Sequence, residues 1–151
     1  MNADNFGKRF HFAVDGDVQA QPLYVSNLVI NGQERNVLFV ASQKNVVYAF
    51  DADGSTLEPL WERSFVDPAN GVVVPQAPAD TGGSACCPVH PGITGTPVID
   101  LNSNSLYLVA RTKESGKQVQ RIHALDITTG AIKRSNVINP SVSGTGDKNF
   151  L

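Results

Sequence analysis

Hydrophobic residues lie along the chain in short runs with the spacing of β-strands. The runs at 36–42 (NVLFVAS) and 105–111 (SLYLVAR) are rich in β-branched and aromatic side chains. Those at 46–51 (VVYAFD) and 121–126 (RIHALD) are similar, and each ends in an aspartate followed by a glycine-containing turn. Because we find no amphipathic stretch of helical length, the pattern predicts an all-β fold.

The strand pattern occurs twice. The stretch 36–65 matches the stretch 104–135, with "VYAFDADG" corresponding to "IHALDITTG". A further apolar segment precedes each copy ("QPLYVSNLVI" and "TPVIDLNS"), and another follows ("PLWERSF" and "AIKRSNVI"). Four strands in up-and-down order, repeated, are typical of two β-propeller blades.

Equivalent positions in the two copies keep their spacing. Pro22 lies 26 residues before Tyr48, and Pro97 lies 26 residues before His123. We therefore place His123 where Tyr48 lies in the first copy, and interpret it as a strand residue packed at a blade surface. Trp61, a large apolar side chain, is expected to fill space between blades.

The repeat divides residues 1–151, a single partial domain, into four parts. We predict a first blade at about 18–66, a long irregular loop at 66–95, a second blade at about 96–139 and a polar tail at 140–151. The loop contains five of the nine prolines. Loops of this length are usually binding loops or lids, or else disordered.

Composition narrows the function classes. The chain has 151 residues, of which 41% are hydrophobic and 17% charged, and a net charge of -2. These values fit a globular chain and give no reason to expect nucleic acid as a partner. No apolar run is long enough to span a membrane, and the first ten residues lack the apolar segment of a secretory signal.

Cys86 and Cys87 are adjacent in the long loop and are the only cysteines. Their Cα atoms lie about 3.8 Å apart, closer than the roughly 4.4 Å that an unstrained disulfide needs. Three interpretations remain open: free thiols or a strained bridge that stiffens a turn, contact with a flat ligand, or a metal site with His90. The metal site is the least favoured, because adjacent cysteines rarely both reach one tetrahedral ion.

At "YAFDADGSTLEPLW" and "HALDITTGAIKRS" the chain resembles the pyrroloquinoline quinone (PQQ) repeat, A-L-D-x-x-T-G-x-x-x-W. Matching positions of the first copy are Ala49, Asp51, Gly54 and Trp61, with Phe50 in place of leucine. Matching positions of the second copy, which lacks the tryptophan, are Ala124, Leu125, Asp126, Thr129 and Gly130. The resemblance implies an incomplete, open PQQ-like propeller of two four-stranded antiparallel blades, in a periplasmic or extracellular protein.

The resemblance also gives the cysteine pair a context. In PQQ-dependent alcohol dehydrogenases a vicinal disulfide packs against the quinone, so Cys86 and Cys87 are candidate cofactor-contacting residues. Those enzymes follow the pair with an Asn-Arg-Gly segment, whereas here Pro-Val-His-Pro-Gly follows and no arginine is present. No catalytic residue transfers, and PQQ is expected only in a full-length parent.

Other candidate sites have ordinary structural explanations. Asp15 and Asp17 form an acidic Asp-Gly-Asp turn, for which a cation site is the less favoured alternative. His11 and His90 show no spacing typical of ligands.

Two blades cannot close a propeller, which needs about four to eight. We therefore expect a fragment of a larger propeller, or several copies that assemble into a ring. The expected partners are the rest of the propeller or other copies of the chain, bound through exposed blade faces. The favoured function is a ligand-binding, protein-binding or scaffold module that is not catalytic by itself. The alternative is part of a quinoprotein alcohol or sugar dehydrogenase.

Overall fold

The chain folds into two antiparallel β-sheets in a computed structural model that describes residues 7–80 and 90–139. The first sheet contains four strands in chain order: β1 (Leu23–Ile30), β2 (Gln33–Ala41), β3 (Val46–Asp51) and β4 (Trp61–Ser64). Every neighbouring pair is antiparallel. The predicted all-β class is confirmed, and no α-helix occurs in the described ranges.

The second sheet has five strands, so the expectation of two four-stranded sheets is wrong for this one. Its strands are β5 (Val72–Val73), β6 (Val98–Asp100), β7 (Ser105–Glu114), β8 (Lys117–Asp126) and β9 (Ile132–Val137). The additional strand, β5, comes from the loop predicted to be irregular. It pairs with the end of β7, whereas β6 pairs with the beginning of the same strand. One long strand thus provides an edge for two short ones.

The strand β7 is long because its hairpin turn is tight. Only Ser115 and Gly116 lie between the paired strands β7 and β8. Both have positive φ, 48° and 83°, which is the geometry of a two-residue turn that matches strand twist. Glu114 therefore stays in the ladder opposite Lys117, and its carboxylate forms an ion pair with Arg121 at 2.7 Å.

The two aspartate turns adopt the predicted structure. Asp51 accepts the Asp53 backbone N–H at 3.0 Å, and Asp126 accepts the Thr128 N–H at 2.9 Å. Burial acts to raise the pKa of each aspartate. These bonds, an ion pair to Arg35 or Lys133 and, at Asp126, the Thr128 hydroxyl bond together hold it below its usual value. The glycine after each turn has positive φ.

The registers of the two sheets coincide, so each position in one has an equivalent in the other. Val37 pairs with Asp51 in the first sheet, and Ser105 pairs with Asp126 in the second. From these pairs, alternate residues define two faces. We call one of them the front. In the first sheet the front contains Val37, Phe39, Ala41, Val47 and Ala49. In the second sheet it contains the equivalent residues Ser105, Tyr107, Val109, Ile122 and Ala124. The opposite face is the back.

The front of the first sheet packs on the back of the second. A single buried cluster joins Phe39, Ala41 and Val47 to Leu106 and Leu108. The sheets are therefore stacked front to back, as successive copies of one unit, and not front to front.

Polar contacts fix this stacking at its edges. The Trp61 indole N–H donates to the Ile127 carbonyl at 3.0 Å, and Arg63 donates to the Gly130 carbonyl at 2.8 Å. Gly130 lies against the indole: a Cβ there would be 2.5 Å from Trp61 Cε3. Trp61 fills the space between the sheets, as predicted. Arg134, which pairs with Ala124 as Trp61 pairs with Ala49, occupies the equivalent position in the second sheet.

Candidate functional site

Four apolar side chains on the front of the second sheet are left exposed by the described residues. Val98, Tyr107, Val109 and Ile122 are 63%, 37%, 41% and 41% exposed. Their equivalents on β2 and β3 are buried, because the second sheet covers them: Phe39 is 2% exposed, Ala41 3% and Val47 0%. The same surface is thus used as an interface in one sheet and left open in the other.

The corresponding back face of the first sheet is covered by a segment that precedes β1. We call residues Phe10–Val14 the cap segment. Phe12 stacks on Phe50 with ring centroids 4.4 Å apart, and Phe12 and Val14 pack against a small cluster of Val40, Tyr48 and Phe50. This cover was not predicted, since a short segment with alternating aromatics has no partner visible in the sequence.

The open front face continues into a pocket of about 380 Å³. Its walls come from the end of the long loop and from β7 and β8: Pro91, Gly92, Thr94, Gly95, Val109, Arg111 and Gln120. The guanidinium of Arg111 and the amide of Gln120 give this end of the face its polar groups.

The proposed cofactor-contacting residues, Cys86 and Cys87, lie outside the described residues. The segment after them is firmly attached to the body of the protein. Gly92 donates its N–H to the Gln43 carbonyl at 3.1 Å, and Ile93 is fully buried in the core between the sheets. The long loop therefore returns to the body beside the β2–β3 turn.

A second pocket, of about 310 Å³, lies at the seam between the sheets. One wall contains Phe65 and the other contains Glu114, Arg121 and His123. The Arg121 guanidinium donates two bonds to the Glu114 carboxylate, at 2.9 and 2.7 Å. These two bonds are the main reason that the pKa of Glu114 lies below its usual value and that the pKa of Arg121 lies above its own.

His123 is 5% exposed, and its ring lies 4.2 Å from that of Phe65. Neither ring nitrogen has a hydrogen-bond partner among the described residues. Burial, with a smaller contribution from Arg121, lowers its pKa to about 4. The imidazole is therefore neutral at pH 7. The prediction that His123 is a packed strand residue equivalent to Tyr48 is confirmed.

The remaining candidates form no constellation. Asp15 pairs with Lys44 at 2.7 Å, and the Asp17 carbonyl accepts a backbone bond from Gln43. Within 7–80 and 90–139, no three His, Cys, Asp or Glu side chains converge as metal ligands do. The Asp-Gly-Asp stretch accordingly forms a turn, with positive φ at Gly16.

An apolar groove of about 410 Å³ lies between β1 of the first sheet and β6 of the second. It is lined by Leu23, Tyr24, Val25, Pro97, Val98, Ile99 and Leu101. Val98 belongs to both this groove and the open front face, so the two apolar surfaces are continuous.

Among the described segments, none forms a helix with the length and apolar character needed to cross a membrane. Comparison of the chain with protein-family models, with curated proteins and with solved structures finds no match.

Proposed function

We propose that the chain is a pair of adjacent blades of a PQQ-like β-propeller and serves as a scaffold or binding module, without catalysis of its own. One observation carries this proposal: the two sheets stack front to back, and the front of the second sheet has apolar side chains that the described residues leave exposed. An interface of this kind joins two different surfaces, so it repeats from unit to unit until a ring closes. The open front face is the surface on which a further blade packs.

The repeated sequence supports the same conclusion. The aspartate turn and its glycine recur in both sheets, and the turn of the second sheet receives Trp61 and Arg63 from the first. A third blade would place its own turn against the outer strand of the second sheet, where Arg134 replaces the tryptophan. In this proposal, the long loop and the pocket beside Arg111 present a ligand or protein partner.

A tandem gene tests the scaffold. It joins three copies, the first of residues 1–139 and the others of residues 18–139, so that no cap segment precedes the later copies. We expect the denaturant midpoint to exceed that of the single chain, because each internal front face gains a cover. A matched tandem with Tyr107→Lys and Val109→Lys in every copy should keep the single-chain midpoint. Equal midpoints for both tandems and the single chain would contradict the proposal.

A quinoprotein dehydrogenase fragment is the second candidate, favoured by the adjacent pair Cys86 and Cys87. PQQ would supply the redox chemistry, and the protein would orient it. The purified chain, incubated with PQQ and calcium, is assayed for oxidation of alcohols and sugars with a dye acceptor. We expect no turnover; measurable turnover would favour the dehydrogenase over the scaffold.

A further inference from the structure

The cap segment lies where a blade would lie. The back of the second sheet receives the front of the first, with Phe39 and Val37 in the shared cluster. The equivalent back of the first sheet receives Phe12 and Val14 instead. Aromatic and β-branched side chains thus cover both back faces, although one cover is a sheet and the other a short segment.

The cap segment contributes no strand to the sheet, and two hydrogen bonds directly after it anchor the chain: the Asp15 N–H donates to the Tyr48 hydroxyl at 3.1 Å, and the Asp17 carbonyl accepts from the Gln43 N–H at 2.9 Å. The main apolar contact of the cap segment is the stack of Phe12 on Phe50, extended by Phe10 at a ring distance of 5.3 Å from Phe12. The adjoining ion pair joins Asp15 and Lys44, whose side chains are 64% and 39% exposed. Ion pairs that are this exposed contribute little. A whole sheet face offers a larger apolar surface than this segment does.

The open front face fits the surface beneath the cap segment. The two surfaces are equivalent to the pair that already forms the interface between the sheets. A second copy of this chain is therefore the occupant that this geometry selects.

We propose that the cap segment Phe10–Val14 prevents head-to-tail association of the chain, and that its displacement lets the front face of a second copy dock on the exposed back face. The inference rests on the proposed blade-to-blade function. It adds a means of control: an intact chain has one open surface and one covered surface, so it remains a monomer.

Sedimentation of three variants tests the inference. Phe10→Ser with Phe12→Ser opens the back face, and Tyr107→Lys with Val109→Lys blocks the front. We expect the wild type and the front-blocked chain to be monomeric. The back-open chain should associate with a dissociation constant at least about tenfold lower than that of the wild type, equivalent to about 1.4 kcal/mol. Combining all four substitutions should restore the monomer.

Mixing gives the sharpest result. The four-fold variant has an open back and a blocked front, so with wild type it should form a one-to-one heterodimer and nothing larger. The front-blocked chain, whose cap segment is intact, should not bind wild type. Circular dichroism and Trp61 fluorescence establish that each variant is folded. If the phenylalanine variant does not fold, Val14→Ala decides instead, because it removes one contact of the cap segment with the cluster and keeps both phenylalanines; it should strengthen association in the same direction.

A folded back-open chain that stays monomeric, with the tandem behaving as expected, would overturn the cap inference alone. Association of the wild type that the front-face lysines do not reduce would overturn both the inference and the proposed function.

Discussion

Gly130→Ala should destabilise the chain by closing the space that Trp61 occupies. The new Cβ would lie 2.5 Å from Trp61 Cε3 and 2.9 Å from Cδ2, well inside contact distance. The φ of +68° adds the cost of a left-handed alanine, about 1–2 kcal/mol. Overpacking a fixed aromatic costs about 1–3 kcal/mol more. The free energy of unfolding should therefore fall by about 2–5 kcal/mol.

Gly116→Ala is the matched control. Gly116 also has positive φ, +83°, but nothing lies within 4 Å of its added Cβ. It should lose only the backbone component, about 1–2 kcal/mol. Urea unfolding followed by circular dichroism measures both. In a Trp61→Leu background, the difference between the two glycines should shrink, with a coupling of about 1 kcal/mol or more. If Gly130→Ala costs no more than Gly116→Ala, the indole does not pack on that turn.

Three further outcomes are expected. Folding lowers the pKa of His123 from 6.5 to about 4, so the neutral imidazole contributes fully to stability above pH 6.5, and this contribution is lost as the pH falls to 4. The free energy of unfolding, measured above pH 6.5 and at pH 4, should fall by about 3 kcal/mol between the two conditions. His123→Phe should reduce that loss. Gly92→Ala should lower the urea midpoint strongly, because the new Cβ would lie 2.1 Å from the Gln43 carbonyl oxygen. Gly95→Ala is its control and should leave the midpoint unchanged, because the space around that Cβ is open. Glu114→Gln should cost about 1 kcal/mol or less, since its ion pair with Arg121 is partly exposed, and high salt should lower stability more in the wild type than in the variant.

Much of the fold is predictable because its causes are local. The apolar runs set the strands, and the aspartate turns have their hydrogen bonds within a few residues, at Asp51 and Asp126. Repetition then gives the equivalence of Tyr48 and His123, which the strand register reproduces.

What the sequence does not predict depends on distant contacts. The strand β5 forms only because β7 extends beyond β6 and offers free ladder positions to Val72 and Val73. Phe12 covers the back face of the first sheet by stacking on Phe50, a residue far from it in the sequence. The neutral state of His123, a residue of the second sheet, depends on burial against the first sheet. None of these contacts leaves a periodic pattern.

The central claim is that one surface is an interface in the first sheet and an open face in the second. Ala41 and Val109 are equivalent, but Ala41 is 3% exposed and Val109 41%. Lysine substitution at each, followed by urea unfolding, compares the two faces directly. The account predicts that Ala41→Lys costs about 3 kcal/mol or more by placing a charge between the sheets. Val109→Lys should cost less than about 1 kcal/mol. Equal losses at the two positions would contradict the front-to-back stacking and the open front face together.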